Sequence, residues 1–264
     1  MSIRIAAAQT ASVPGDLDAN IRTHVRFIDA ARAEGVQILV FPELSLSGYE
    51  LPLLRQCALT ADDVRLAPLR AAASAAGMTV IVGAPLIDQG AAQPCIGSIT
   101  FAGQHQAGSD ALPGTYRKQY LHAGEEVYAQ PGPRGASAHA LHGQRYVEAI
   151  CADISRAAHA QAAADAGASL YLAGALISVQ GYATDAGLLQ QYASTHGFGV
   201  LLANHGAPSG GYSVAGQSAF WAPGGMLVAQ VPGVGDYLLV AELAAPADGS
   251  HAADWRGSVV PVAA

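Results

Sequence analysis

Lysine is almost missing from this chain. Of 13 basic residues among 264, 12 are arginine and one is lysine, Lys118. Charge of any kind is sparse, at 12 % of the sequence, about half the usual globular share. The formal net charge is −7 and the few cations are scattered singly, so there is no electrostatic footprint for nucleic acid. Cysteine is scarce too. Three residues, Cys57, Cys95 and Cys151, are too few for a disulfide framework, and an odd number fits a reducing compartment. No run approaches the ~18 consecutive apolar residues of a membrane span. Met1-Ser2-Ile3-Arg4-Ile5 lacks the charged-then-apolar pattern of a signal peptide. These absences lead to the expectation of a cytoplasmic protein without membrane or nucleic-acid partners.

What is present is apolar. Hydrophobic residues make 51 % of the chain, which excludes a disordered protein and supplies a full core. The length allows one large domain or two small ones. Alanine occurs 56 times; a composition rich in Ala and Arg carries no function. Where Arg has displaced Lys everywhere else, however, the surviving Lys118 needs a reason. Arg is a planar fork, whereas Lys is a compact point charge on a flexible stem.

Apolar runs at Ile3–Gln9, Val36–Phe41 and Met78–Ala84 read as buried strands. Helices are expected from Asp16 to Glu34, with Gly35 at the end, and from Asp62 to Ala76, closed by Gly77. Strands are expected at Cys95–Phe101 and Gly114–Tyr120 around a polar turn, and at Ser137–Leu141 and Tyr146–Cys151 around His142-Gly143. Then come helix Ala157–Ala166, strand Ala168–Ala173, helix Asp185–His196 and strand Val200–Asn204, followed by strands at Gly216–Trp221, Met226–Val231 and Tyr237–Leu243. Alternating strands and helices with such apolar runs imply sheets covered on both faces. The expectation is α/β: one domain over 1–264 with two sheets inside and helices outside. Residues from about 245 to 264 read as a C-terminal extension.

Three segments place a reactive side chain at the end of an apolar run. In Leu39-Val40-Phe41-Pro42-Glu43 a carboxylate follows a buried strand, which is costly unless it is paired. Ligand sites in such sheets lie at the carboxyl ends of strands. Thr115-Tyr116-Arg117-Lys118 carries the only lysine. Val147-Glu148-Ala149-Ile150-Cys151 ends in a thiol before a turn into a helix, where a cation and a helix start favour the thiolate and make it a nucleophile. Cys57 and Cys95 read as small hydrophobes.

Together with Ile5-Ala-Ala-Ala-Gln9, Pro131-Gly132, Cys151-Ala152-Asp153, Ala203-Asn204-His205-Gly206 and Gly216–Gly225, these segments resemble the nitrilase superfamily, the carbon–nitrogen hydrolases. The resemblance covers nearly the whole chain. It implies a four-layer α-β-β-α sandwich and a homodimer or larger assembly. It places the catalytic Glu, Lys and Cys at Glu43, Lys118 and Cys151. A second glutamate six residues before the Pro-Gly pair falls on Glu125, with Glu126 the alternative. Tyr49, Ala152 and Arg156 are candidates for the substrate side.

These residues permit amide hydrolysis without metal or cofactor. Glu43 is the general base for the Cys151 thiol, whose ordinary pKa is roughly 8.5. Lys118 and the Ala152 backbone N–H stabilise the developing oxyanion. Glu125 orients substrate or lysine, and Asp153 holds the turn after the nucleophile. The nine histidines have no metal-ligand spacing. The stretch Ala152 to His159 and the residues Tyr128-Ala129 depart from the family pattern where the acyl pocket is shaped. The leading substrate is a small aliphatic amide, with an ω-amide as a variant in which Arg156 grips the carboxylate. A nitrilase, an N-carbamoyl amide hydrolase, a non-catalytic interaction protein and a redox-active thiol protein are the alternatives.

Overall fold

The computed structural model describes residues 3–88, 90–103, 114–244 and 254–263. The first half runs β1 (Ile3–Gln9), α1 (Leu17–Ala33), β2 (Ile38–Val40), α2 (Ala67–Ala76), β3 (Thr79–Leu86), β4 (Cys95–Phe101) and β5 (Gly114–Arg117). The second half begins with β6 (His139–Leu141), β7 (Gln144–Ile150), α3 (Ala157–Asp165), β8 (Leu170–Ala175), α4 (Tyr182–His196) and β9 (Gly199–Asn204). It closes with β10 (Ala219–Trp221), β11 (Leu227–Gln230), β12 (Tyr237–Ala244) and β13 (Asp254–Pro261). The strands form two sheets, ordered β13-β12-β1-β2-β3-β4-β5 and β11-β10-β9-β8-β7-β6. Each has a parallel centre, β1-β2-β3 and β7-β8-β9, with antiparallel flanks.

The period-2 alternation of the strands creates the layers. Along β1, Ala6 and Ala8 face α1 and α2, joining Phe27, Ile28, Leu69 and Ala73 in one core. The intervening Ile3, Ile5 and Ala7 face the other sheet, against Leu172, Leu201 and Phe220. The second sheet repeats the pattern: Tyr171 and Ala173 turn outward onto α3 and α4 through Ala160, Leu189 and Tyr192. Three apolar layers thus separate four structural layers in the order α-β-β-α, as the resemblance implied.

Where elements differ from expectation, local chemistry explains it. The helix expected from Asp62 opens as a 3-10 turn at Val64–Leu66 and becomes α-helical only at Ala67. Pro68 sits in its first turn, where a missing N–H is tolerated. The strand expected to reach Tyr120 stops at Arg117, because the Gln119 and Tyr120 amides donate to the Asp153 carboxylate. The strand expected from Gly216 starts at Ala219, since Gly216 and Gln217 adopt positive φ of 64° and 54°. Most of the polar turn between β4 and β5, residues 104–113, lies outside the described residues. So do residues 245–253 and 264 of the stretch read as an extension, but Asp254–Pro261 is a strand, paired along its length with β12 at the sheet edge. Among the described residues, no helix is long and apolar enough to cross a membrane.

Candidate active site

The site gathers at one end of the sandwich, where β2, β5, β7 and β8 release their chains. The segment after β2 threads between the sheets because two strands have glycine there. A Cβ on Gly83 of β3 would lie 2.2 Å from the Pro42 carbonyl oxygen, and one on Gly174 of β8 would lie 2.7 Å from that of Phe41. Glu43 emerges from this passage with 1 % exposure. The next residue, Leu44, has φ +52°, a costly conformation for a branched side chain. The Leu46 amide donates to Gly83 O at 2.9 Å and fixes the turn.

Lys118, just beyond β5, is fully buried. A buried ammonium must be paired, and here two carboxylates do so. Lys118 Nζ donates to Glu43 Oε1 and to Glu125 Oε1, both at 2.7 Å. Glu125 lies in a 3-10 turn, Glu125–Val127, and is also buried. It accepts from the Tyr49 hydroxyl at 2.5 Å and the His122 amide at 2.7 Å. Its neighbour Glu126 is exposed and bonds the Gly124 amide instead, so Glu125 is the second glutamate of the cluster.

Cys151 opens a 3-10 turn, Cys151–Asp153, directly after β7, with φ +45°. Its Sγ lies 3.6 Å from Leu176 O at the end of β8. Left-handed non-glycine residues cost about 1–3 kcal/mol and persist only when their surroundings impose them. Asp153 is what imposes this one. Its Oδ2 accepts from the Ile150 amide at 3.0 Å and the Tyr116 hydroxyl at 2.7 Å. Its Oδ1 accepts from the Gln119 and Tyr120 amides at 3.0 and 2.9 Å. One carboxylate therefore ties the Cys151 turn to β5 and the segment that follows it.

The electrostatics suit proton transfer. Burial pushes the Glu43 carboxyl up; Lys118 opposes this, Glu125 adds to it, and the Cys151 thiol favours the ionised form. Glu43 Oε2 has no hydrogen-bond partner and is free to take a proton. Burial, reinforced by Glu43, also drives the Cys151 thiol well above its ordinary value, against the pull of Lys118. The resting sulfur is thus a thiol that needs a base. Burial alone would lower Lys118, but Glu43, Cys151 and Glu125 outweigh it and hold it charged.

Of the residues singled out from the sequence, Glu43, Lys118, Glu125, Tyr49 and Cys151 meet in this cluster. Ala152 is half-buried beside Cys151. Arg156 is exposed before α3, with its guanidinium 5.6 Å from the centre of the Tyr120 ring; no described contact brings it to the cluster. Tyr116 and His159 carry more structure than their motif suggested. The Tyr116 hydroxyl also meets His159 Nε2 at 2.9 Å, and His159 Nδ1 meets the Tyr171 hydroxyl at 2.8 Å. In the sequence, His159 is merely one histidine in an alanine-rich helix. Among the described residues, no group of His, Cys, Asp and Glu side chains could hold a metal ion.

Beside these charged groups lies an apolar cluster, Leu44, Tyr49, Ile96, Ala129, Ile150, Leu176 and Val214, against which Cys151 packs.

Comparison with known proteins agrees with this architecture. No curated protein matches the chain in sequence. Among solved structures, a cysteine-to-alanine mutant of the amidase from Nesterenkonia sp. AN1, in complex with butyramide, superposes with a TM-score of 0.81 at 26 % identity, over 94 % of this chain and 92 % of that one. A glutamate-to-glutamine mutant of the same amidase, with the acetamide moiety of fluoroacetamide added covalently at the active-site cysteine, gives 0.79 at 26 % identity over 90 % and 89 %. Another cysteine-to-alanine mutant of this nitrilase-superfamily amidase gives 0.79 at 26 % identity over 90 % and 89 %. The family model for carbon-nitrogen hydrolases matches residues 4–247, so the chain belongs to the carbon-nitrogen hydrolase family and is an enzyme of that class.

Proposed function

We propose that this enzyme hydrolyses short, uncharged aliphatic amides to carboxylic acid and ammonia through a thioester on Cys151. The observation that carries the reading is the closed cluster in which Lys118 joins Glu43 and Glu125 beside the Cys151 thiol. Glu43 Oε2 takes the thiol proton as sulfur attacks the carbonyl carbon, forming the C–S bond. Negative charge gathers on oxygen, where Lys118 and the Ala152 N–H stabilise it. Glu43 returns the proton to nitrogen as the C–N bond breaks and ammonia departs. Water, deprotonated by Glu43, then attacks the thioester, and the proton goes back to sulfur. Glu125 and Tyr49 position Lys118 throughout.

The apolar cluster packed against Cys151 supports an aliphatic acyl group over an ω-amide bearing a carboxylate, since Arg156 stands apart over Tyr120. The solved amidase holds butyramide in one structure and acrylamide in another, both of this size. The three cysteines are free thiols, which supports a cytoplasmic setting. By resemblance the working unit is a homodimer or larger.

Ammonia release tests the reading. Acetamide, butyramide and acrylamide are compared with an ω-amide acid, an N-carbamoyl compound and a nitrile, using wild type and Cys151→Ala. Turnover of the simple amides by wild type alone is expected. Equal release by a clean Cys151→Ala preparation overturns the thiol route, and preference for nitrile or carbamoyl compounds reassigns the substrate.

A further inference from the structure

Two fully buried histidines flank the Glu43 turn, and the reaction above uses neither. His24 of α1 and His205, one residue past β9, are 1 % and 0 % exposed. Their partners fix both tautomers. His205 Nε2 lies 2.7 Å from the Glu43 backbone oxygen. A carbonyl oxygen only accepts, so Nε2 carries the hydrogen and donates. Nδ1 is then a bare acceptor, and it has no partner. His24 Nδ1 lies 2.7 Å from Asn20 O and must donate there, which leaves Nε2 to accept from the Ser45 hydroxyl at 2.9 Å. Ser45 Oγ accepts in turn from the Gly83 amide at 3.1 Å. The His24 ring stacks on Phe41 with centroids 4.0 Å apart.

The turn is thus gripped from two layers. Helix α1 holds Phe41 and Ser45, while the second sheet reaches across to the Glu43 carbonyl. Between these grips sits Leu44 in its left-handed conformation, which the chain does not adopt unaided. The bare Nδ1 of His205 costs about 1–3 kcal/mol as an unsatisfied buried acceptor. Filling space alone does not require that cost; the imidazole's one polar contact through its ring is the donation to Glu43 O. Asn204, its chain neighbour, anchors the loop by bonding Ile177 N at 2.8 Å and Gly216 O at 2.7 Å.

We propose that His205, supported by His24 through Ser45, is a positioning residue for the catalytic base: its Nε2–H holds the Glu43 carbonyl and thereby aims the Glu43 carboxylate at Cys151. This rests on Glu43 being the base. The base must meet sulfur, substrate nitrogen and water in turn from one backbone position. A misplacement of about 1 Å costs on the order of 100-fold in rate.

The test compares His205→Gln, which keeps an N–H donor at similar reach, with His205→Leu, which keeps bulk and loses the donor. His205→Leu is expected to lower kcat for butyramide by about 10- to 100-fold with KM within about 3-fold, and His205→Gln to restore most of kcat. Alkylation of Cys151 by iodoacetamide, followed by peptide mass spectrometry, gives a readout independent of turnover. Here His205→Leu should slow the reaction toward the rate of Glu43→Gln, and His205→Gln should not. Wild-type kcat and alkylation in His205→Leu, beside an inactive Glu43→Gln, overturn the proposal and leave Glu43 as base. Equal losses in His205→Leu and His205→Gln reduce the residue to packing and likewise overturn it. A fully active Glu43→Gln removes the base assignment itself, and the proposal with it.

Discussion

Replacing Lys118 by methionine keeps most of the buried stem and removes one charge. The ammonium sits 2.7 Å from an oxygen of each of two buried carboxylates. At an effective dielectric near 20, each pair contributes about 6 kcal/mol of attraction before desolvation is subtracted. Removing one partner of a buried pair costs about 3–5 kcal/mol, because the other charge stays buried without compensation. With two carboxylates stranded, the loss should reach the upper end, about 5 kcal/mol at pH 8. The pH dependence carries the diagnosis. Burial already raises Glu43 above its ordinary 4.5, and losing the cation raises it further. The native variant then keeps a proton that the unfolded chain releases, so its stability falls as pH climbs above 4.5. Urea unfolding followed by circular dichroism should therefore show a small deficit relative to wild type at pH 5 and a large one at pH 8. Adding Glu125→Gln should recover about half of the deficit at pH 8 while amide turnover stays abolished. A deficit below about 1 kcal/mol, or one equal at both pH values, refutes the account of Lys118 as the shared counter-ion.

Other perturbations read other joints of the site. Asp153→Ala strands three amides and takes one of two partners from the Tyr116 hydroxyl; at about 1–3 kcal/mol per unsatisfied buried group, a loss of at least about 3 kcal/mol with collapse of kcat is expected, and a denaturation midpoint near wild type contradicts it. Gly83→Ala puts a methyl 2.2 Å from Pro42 O and 2.5 Å from Leu44 N. It should cost about 1–3 kcal/mol and at least tenfold in kcat, so full activity shows that the passage is wider than described. His24 and His205 are each drawn from 6.5 to about 4, mainly by burial. The unfolded chain binds protons that the native state refuses, so stability is whole above pH 6.5 and falls by about 3 kcal/mol per histidine as pH drops to 4. A urea midpoint indifferent to pH between 7 and 4.5 removes that linkage, and His205→Gln should flatten its share.

The apolar runs carried the architecture because burial on both faces of a strand leaves a mark in the residues themselves. Ile3–Gln9 and Ala168–Ala173 read as strands since hardly any polar residue interrupts them, and the structure has strands at Ile3–Gln9 and Leu170–Ala175. Strand ends were less legible wherever a side chain from elsewhere takes over the backbone. Nothing near Lys118 announces that Asp153, 35 positions later in the sequence, will accept the amides beyond Arg117. The C-terminal strand Asp254–Pro261 was obscured in another way. Its partner β12 is sequence-adjacent, but it is an edge strand with exposed residues and lacks the apolar signature of the centre.

By itself the sequence determined the layered α/β class and pointed to three candidate residues at strand ends, because a lone lysine, a carboxylate after Phe-Pro and a thiol closing an apolar run are each costly without a purpose. Tertiary structure alone decided what surrounds them. It selected Glu125 over Glu126, gave one ammonium to two carboxylates, and brought His24 and His205 to either side of the Glu43 turn. Several of those pairings join residues far apart in the chain: 75 positions for Glu43 with Lys118, 76 for Tyr49 with Glu125 and 162 for Glu43 with His205. Hydrogen bonds act over about 3 Å of space and leave no period in the chain, so only the packed sheets could specify them.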